Sequence, residues 1–422
     1  MKKAIHKHIG RRLKKSHESI TKYLLKRDTI FSTLWVFIFI FGLGAIPLNL
    51  GVLNPVKLGL KDFDFNDMSY SKLGKSEKAN FDPRVVIFNI GYADRATIAK
   101  MIDTVATFKP RVMALDAFFE GSRGEEQDGP LDSSFSKHQN LVVAYIANFK
   151  GKKADTIFRR GDYLKSAHNY GWANFFQDSV STIRTFRPVL KDYKDSSFLS
   201  FPTLVTKLYD RAAGEKLEKK GDKNVIINYS RNIDPNKKPQ YFVIEYEDLL
   251  NGMYDESIFR DKIILFGYVN LNPNDIEDKK YSPMNSKFAG KTVPDMNGIV
   301  VHANIISMAL DRDYVKKVPL WLTVLIAIAV CWLHMSFFIR YYLEEHIWFH
   351  LAAKILQVLS AIFFVWLGIF LFDQYRLKVD LKLSIVVVVL AVDVIYFYEA
   401  FAVWMHKKYG FKTIFGHHGH GH

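Results

Sequence analysis

Four long runs of apolar residues divide this chain into a membrane part and a polar part. The first run covers residues 29–53 and holds no charged residue, and the others cover residues 318–339, 347–372 and 383–404. A helix of about 20 apolar residues crosses the roughly 30 Å of hydrocarbon in a bilayer. The pattern therefore predicts four transmembrane helices and excludes a wholly soluble protein.

Residues 54–317 show a shorter alternation, which is typical of a folded domain with its own core. The predicted strands are residues 84–90, 112–118, 141–146, 181–190, 224–229 and 262–267, and the predicted helices are 93–108, 198–212 and 297–311. Polar residues, glycine and proline predict loops at 121–130 and 234–239. A strand, a helix and a second strand of these lengths imply parallel pairing through a right-handed crossover. We therefore predict the fold class α/β, as an open, mostly parallel sheet with helices on both faces.

The charges that flank the apolar runs predict the orientation of the chain. Of the formal net charge of +15, residues 1–28 supply ten Lys and Arg against two acidic residues, and Lys407, Lys408 and Lys412 follow the last run. Basic residues concentrate on the cytoplasmic side of membrane proteins. We therefore expect an uncleaved signal anchor at 29–53, both tails in the cytoplasm and residues 54–317 outside it. In a bacterium this means the inner membrane, with the large domain in the periplasm.

Both tails carry further patterns. On a helical wheel, one face of residues 1–28 is aliphatic and aromatic, with Ile5, Ile9, Leu13, Ile20, Tyr23 and Leu24. This predicts a basic amphipathic arm on anionic lipid, or alternatively a solvated tail that only sets the topology. Because the charge lies at the membrane ends, no nucleic-acid partner is predicted. The tail 405–422 contains His417, His418, His420 and His422, which either bind a divalent metal or have no role; no metal site is predicted.

Several polar residues and one glycine lie at the ends of the predicted strands, follow them, or lie near the start of the last predicted helix of the domain. They are Asn89, Asp116, Gly267, Asn270, Asp275, His302 and Asn304. Ligands of open α/β sheets bind beyond the carboxyl ends of the strands, so these residues are candidate ligand contacts. The alternatives are a turn-capping role for Asp116 and a structural hydrogen bond for His302. We find neither a phosphate-binding glycine motif nor a nucleophile and base at recognisable spacing, so neither an enzyme nor a cofactor is predicted. With Cys331 as its single cysteine, the chain has no internal disulfide.

Three segments resemble the second class of CHASE domains, which are extracellular sensors of bacterial cyclases and histidine kinases. The segments read RVVIFNIGYADRATIAKMI, KPRVMALDAFFE, and KIILFGYVN followed by DIEDKKYSPM and MNGIVVHANIISMAL. The order of one span, a domain and three spans agrees with this family. The resemblance implies that the family's motif positions are Asp116, Gly267, Asp275 or Asp278, Ser282 with Pro283, Gly298, His302, Ala303 and Asn304. Asn89 stands where the family has Asp.

The resemblance also implies an output that this sequence does not contain. Family members commonly continue into a kinase or cyclase, whereas 18 residues follow Trp404 here. We therefore expect the signal to pass to a separate protein or to change the assembly state, and the resemblance implies a possible homodimer.

Four ionisable residues lie inside the predicted spans, namely His334, Lys354, Asp393 and Glu399. Each ionisable group in a span costs roughly 2.5 to 3.5 kcal/mol on insertion scales and calls for a partner. Antiparallel packing of the last two spans would place Lys354 between the two carboxylates. This predicts a Lys–carboxylate pair with His334 as a hydrogen-bonding neighbour. The alternative is a proton-sensitive switch or a docking site for another membrane subunit.

These patterns predict a bacterial inner-membrane sensory protein. Its periplasmic domain would bind a small ligand or an envelope protein, and it would signal through a membrane-embedded or cytoplasmic partner. The alternative is a non-sensing scaffold subunit of a cell-envelope complex.

Overall fold

The computed structural model divides the chain into two compact units. One consists of Pro55–Lys316 and the other of Met1–Asn54 with Lys317–His422. The structure describes residues 23–45, 64, 66–70, 81–150, 153–158, 164–175, 181–192, 196–234, 238–272, 275–285, 293–343 and 349–417. Most of the predicted basic arm and residues 46–53 of the first predicted span lie outside this part.

The first unit is built on a mostly parallel sheet. Its strands, in chain order, are β1 (Val85–Asn89), β2 (Val112–Asp116), β3 (Leu141–Lys150), β4 (Lys153–Phe158), β5 (Asn169–Trp172), β6 (Thr185–Phe186), β7 (Val189–Lys191), β8 (Ser197–Leu199), β9 (Val225–Ile226), β10 (Phe242–Glu245), β11 (Ile263–Gly267), β12 (Lys279–Lys280) and β13 (Met296–Asn297). The order across the main sheet is β10-β1-β11-β2-β3-β4, and β5 also pairs with β3. All its pairs are parallel except β3 with β4.

Helices cover both faces of this sheet, as predicted. They are α1 (Arg95–Thr107), α2 (Glu125–Lys137), α3 (Phe201–Tyr209), α4 (Arg211–Glu218), α5 (Tyr246–Leu250) and α6 (Gly298–Asp311). One set of alternate strand residues, including Phe88 and Phe266, forms a core with α1 and α2. The other set, including Ile87 and Leu265, is also buried, on the side where α6 contacts β1 and β11 and α3 contacts β2 and β3. Alternate residues point to opposite faces of a strand, so the burial of both sets shows that helices cover both faces of the sheet. The predicted α/β fold class is therefore confirmed.

Some predicted elements differ from the observed ones. The predicted strand 181–190 forms two short strands, β6 and β7, which pair with β9 and β8 outside the main sheet. The predicted helix 198–212 is two helices, because Asp210 ends α3 and its carboxylate accepts a hydrogen bond from the Ala213 amide to begin α4. Both segments contain residues typical of the predicted strand or helix, but the local sequence does not indicate where one element ends and the next begins.

The predicted loop 121–130 is wrong beyond residue 124, because α2 begins at Glu125. The first turn of α2 contains three acidic residues, whose negative charges interact favourably with the positive end of the helix dipole. One of them, Asp128, is buried and forms an ion pair with Arg95 of α1. This tertiary contact stabilises a helix start that the nearby glycine and proline residues conceal.

Three helices of the second unit are long and apolar enough to cross a membrane within the part that the structure describes. They are α7 (Leu320–Leu343), α8 (Phe349–Tyr375) and α9 (Lys382–Tyr409). A further helix, Arg27–Ala45, packs against α7 and α9 but is not one of the three. The fourth transmembrane helix therefore stays a prediction. The remaining short elements are helical turns at Asp67–Tyr70, Glu256–Ile258 and Ile414–His417 and strands at Lys316–Lys317 and Leu377–Lys378.

Residues 411–417, which we name the clasp, pack back onto the second unit. Gly410 ends α9 in the left-handed conformation, at φ of 69°, and turns the chain. The buried Asp28 carboxylate then accepts hydrogen bonds from Thr413 Oγ1 at 2.6 Å and the Ile414 amide at 3.1 Å. It also accepts one from Tyr398 Oη of α9, at 2.8 Å. The clasp therefore joins the start of the Arg27–Ala45 helix to α9.

Candidate functional site

The carboxyl ends of four neighbouring strands form one edge of the main sheet. Asn89 of β1 is in register with Glu245 of β10 and Gly267 of β11, and Gly267 is in register with Asp116 of β2. The order of strands reverses here, because the chain leaves β1 toward β2 while β10 lies on the other side of β1. Such a reversal is where open α/β sheets bind ligands.

Asn89 has a structural role at this edge. Its Nδ2 donates to both carboxylate oxygens of Glu245, at 3.0 and 2.9 Å, and to the Val269 carbonyl at 3.2 Å. Its Oδ1 accepts from the Gly91 and Val269 amides. Since both ends of the amide are occupied, Asn89 ties together three strand-end loops rather than presenting a free polar group.

Gly267 is required by packing. A Cβ built on it would lie 2.9 Å from the Ile299 side chain, which is closer than real Cβ contacts. The glycine therefore allows α6 to approach the end of β11.

Asn270 and Asp275 stabilise the loop after β11. The Asn270 amide donates to Asn297 Oδ1 at 3.0 Å, and its own side chain accepts from the Asn272 amide. Asp275 accepts from the Glu277 amide at 3.0 Å, a hydrogen bond that lowers the pKa of Asp275. Both side chains therefore contribute to local turns.

Asn304 is saturated by backbone partners. Its Oδ1 accepts from the amides of Ser230 and Arg231, at 3.1 Å each, and its Nδ2 donates to the carbonyls of Arg231 and Val300. It holds a distant loop against α6.

The remaining two candidates, Asp116 and His302, form a buried pair. His302 Nε2 lies 3.7 Å from Asp116 Oδ2, and the two side chains are 3% and 12% exposed. The imidazole stacks on Phe175 at a centroid distance of 4.8 Å and meets the edge of Phe201 at 5.1 Å. His302 Nδ1 is buried and has no hydrogen-bond partner among the described residues.

Burial shifts the protonation of this pair in opposite directions. It lowers the pKa of His302 to about 3, and together with the negative charge of Asp278 it raises the pKa of Asp116 to about 7. Burial disfavours the charged form of any group, which explains both signs. Near neutral pH the imidazole is uncharged, so the pair is not an ion pair, and 3.7 Å is too long for a direct hydrogen bond.

Asp278 and Lys280 complete this group. Lys280 Nζ lies 3.3 Å from Asp278 Oδ1, and the Asp278 carboxylate lies at the first residue of α6, where a Cβ on Gly298 would be 3.2 Å from its Oδ2. The amino terminus of a helix favours a negative charge. We name Asp116, His302, Asp278 and Lys280 the acid–histidine cluster. No three His, Cys, Asp or Glu residues in the described part of the chain are arranged to hold a metal ion.

The sequence therefore identified part of this cluster. Asp278 was one of two possible motif positions, and the structure associates it, rather than Asp275, with Asp116. Phe175 and Phe201 carried no signal in the sequence, because their segments meet His302 only in the folded domain. Lys280 lies in one of the family segments but was not a predicted site residue.

The model of the CHASE2 domain family matches residues 83–337, more than half of the chain. This protein belongs to the CHASE2 domain family. The matched range contains the whole acid–histidine cluster and ends within α7. CHASE2 is a sensory domain and not a catalytic one, so this is a membrane protein with a sensory domain. Comparisons with curated proteins and with solved structures found no match.

Lys354 and Asp393, which follow the matched range in the chain, are the predicted Lys–carboxylate pair that the structure brings together. Lys354 Nζ of α8 is 4.0 Å from Asp393 Oδ1 of α9. Glu399 instead accepts a hydrogen bond from Tyr342 Oη at 2.6 Å.

His334 has other partners than the expected Lys–carboxylate pair. Its Nε2 lies 2.9 Å from Ser360 Oγ and its Nδ1 lies 2.8 Å from the Val330 carbonyl. The carbonyl accepts only, so Nδ1 carries the proton and Nε2 accepts from the serine. His334 therefore joins α7 to α8.

Proposed function

We propose that this protein is a bacterial inner-membrane sensor whose CHASE2 domain faces the periplasm and binds a small ligand at the acid–histidine cluster. The observation that carries the proposal is the buried Nδ1 of His302, which has no hydrogen-bond partner in the described part of the domain. Buried polar atoms are almost always hydrogen-bonded, and leaving one unpaired costs about 1 to 3 kcal/mol. A ligand that forms a hydrogen bond with Nδ1 would recover this cost, and a hydroxyl group can do so with either tautomer because it both donates and accepts.

The chemistry of the cluster indicates a class of ligand. The Asp278 carboxylate accepts hydrogen bonds, the protonated Asp116 carboxyl and the neutral imidazole of His302 can each donate one and accept one, and Phe175 and Phe201 supply apolar surface. Donor-rich molecules such as polyols, sugars and amines fit this combination.

The connection to the membrane follows from the order of the chain. His302 lies on α6, and residues 312–319 join α6 to α7. A ligand that binds one arrangement of α6 better than another would shift the populations of the two. We propose that α7, α8 and α9 pass this change to a membrane-embedded or cytoplasmic partner protein.

Thermal shift of the full-length protein in lipid nanodiscs tests the ligand site. The probes are single polyols, sugars and amines at millimolar concentration, applied to wild type, His302→Phe and, as a matched control, His168→Phe at the exposed His168. A true ligand raises the melting temperature of wild type and of the control, because it binds only the folded state. It has no effect on His302→Phe. An equal shift in His302→Phe would place the ligand elsewhere and contradict the proposal.

A scaffold role is the second candidate, and an exposed aromatic group at the strand ends favours it. Tyr92 is 78% exposed, its ring lies 5.2 Å from that of Tyr268, and its hydroxyl donates to Glu277. Exposed apolar surface of this kind is typical of protein contacts. Co-purification from native membranes distinguishes the two roles, since a scaffold gives a constitutive stoichiometric complex that no small ligand changes.

A further inference from the structure

Among the three membrane-length helices, α8 is the least covered by the rest of its unit. Only 17% of its most apolar stretch is buried, compared with 39% for α7 and 44% for α9. The exposed surface of α8 and of the adjoining part of α9 is therefore available for a contact within the membrane.

This surface carries two charges. The side chains of Lys354 and Asp393 are 60% and 59% exposed, and their 4.0 Å separation is at the outer limit of an ion pair. Charged groups that face hydrocarbon cost several kcal/mol, so such residues are normally paired inside a bundle. In the part of the chain that the structure describes, neither residue forms a second ion pair, and more than half of each side chain is exposed.

A second polar contact lies beside this pair. Tyr396 Oη is 3.3 Å from His350 Nδ1, and both side chains are exposed. His350 is four residues from Lys354 on α8, and Tyr396 is three from Asp393 on α9, so each couple lies on one face of its helix. We name these four residues the polar seam. Exposed apolar side chains flank it, namely Leu351, Ile355, Val358, Val389 and Phe397.

We infer that the polar seam is the contact between two copies of this chain in the membrane. The seam carries one cation and one anion, so a two-fold rotation places Lys354 of each copy opposite Asp393 of the other. Such an isologous contact uses the same patch twice and leaves all four charges paired. A partner with charge of one sign would match only one of the two residues. The contact also covers the least buried helix of the unit.

Charge reversal tests this contact in the full-length protein. Two differently tagged copies are expressed together, and recovery of the second tag with the first is measured in native-lipid nanodiscs. Wild type recovers both tags. We expect Lys354→Asp alone, or Asp393→Lys alone, to lower recovery at least about tenfold, which corresponds to about 1.4 kcal/mol, because four like charges then meet. Lys407→Asp, at an exposed lysine near the end of α9, is the matched control and retains recovery.

Co-expression of the two single variants makes the test decisive. One copy then presents two carboxylates and the other two ammonium groups, so recovery returns for the mixed pair, as it does for the double variant Lys354→Asp with Asp393→Lys. This rescue also shows that the single variants fold. Three results would overturn the inference: a wild type that does not recover itself, reversals without effect, or no rescue. A different membrane protein that is lost with the reversals would also overturn it. Ligand-induced thermal shifts are measured separately, so failure here leaves the proposed ligand site unaffected.

Discussion

Asp116 and His302 show how one physical cause produces opposite effects on neighbouring residues. Burial raises the pKa of Asp116 from 3.8 to about 7 and lowers that of His302 from 6.5 to about 3. Between about pH 4 and 7 the folded state therefore holds a proton on Asp116 that the unfolded state has already lost. It also lacks a proton on His302 that the unfolded state gains below pH 6.5.

The sign of each contribution to stability follows from this difference. The stabilising contribution of the Asp116 proton is complete below about pH 4 and is lost as the pH rises through 7. His302 acts in the other direction, because the free energy of unfolding falls as the pH drops below 6.5. The two slopes oppose each other between about pH 4 and 6.5, and above that range Asp116 acts alone.

Asp116→Asn should remove the Asp116 slope. From pH 5 to pH 8, wild type is expected to lose on the order of 2 kcal/mol of unfolding free energy relative to this variant. The measurement is the melting temperature of the full-length protein in detergent at pH 5, 6, 7 and 8. His302→Phe is the control, since it retains the Asp116 slope and loses the opposing one. Parallel pH profiles of wild type and Asp116→Asn would show that Asp116 ionises normally.

Residue types at strand ends were predictable, but their roles were not. Asn89 and Asn304 stand where ligand contacts were expected, yet Glu245 and Arg231, which saturate them, are 156 and 73 residues away in the chain. His302 had no readable partner in the sequence, and its missing hydrogen bond is visible only when the surrounding segments are in place. Spacing along the chain indicates which side chains share an edge, whereas hydrogen bonding decides which remain available.

At the scale of elements, long regular runs were predictable and short paired ones were not. The strands β1, β2 and β11 and the helix α1 agree with their apolar patterns because burial on the sheet produced those patterns. The edge strand β10 was missed, since its four residues run directly into α5. The predicted strand 181–190 contained strand-forming residues, but its pairing partners lie outside the main sheet.

The clasp was not predicted from the sequence, because its residues lie in a basic segment that was interpreted as a tail. Its attachment depends on Asp28, whose carboxylate accepts three hydrogen bonds. Hydrogen bonds to a charged group contribute about 1.5 to 3 kcal/mol each. The aromatic ring of Phe415 is buried beside Tyr342 and Tyr398, with centroids 6.2 and 5.9 Å away.

Asp28→Ala should release the clasp from the second unit. A spin label on Lys412→Cys, in a Cys331→Ala background, reports the mobility of the clasp by electron paramagnetic resonance. The mobile fraction should rise at least about tenfold, because three donors lose their acceptor. Tyr398→Phe removes one hydrogen bond and should give a smaller rise. Asp380→Ala is the control, since that exposed carboxylate contacts Lys382 instead. An immobile label in Asp28→Ala would mean that apolar packing alone holds the clasp.

For the whole molecule, a sensory domain with membrane helices was predictable from the sequence, because apolar runs and family motifs are both properties of the chain. The orientation in the membrane depends on a different kind of evidence, the distribution of Lys and Arg. Three crossings by α7, α8 and α9 would place residues 55–316 and residue 409 on opposite sides of the membrane. The Arg27–Ala45 helix and the residues after it decide on which side residue 25 lies.

Cysteine labelling of intact spheroplasts tests this topology. Single cysteines replace Leu25, Leu250 and Tyr409, which are 80%, 61% and 62% exposed, in a Cys331→Ala background. We expect a membrane-impermeant thiol reagent to label position 250 at once, and positions 25 and 409 only after permeabilisation. The reason is that both tails are rich in basic residues, which are retained on the cytoplasmic side of the membrane. Labelling of 25 together with 250 would show that the first predicted span does not cross. Labelling of 409 but not of 250 would invert the topology and place the sensory domain in the cytoplasm.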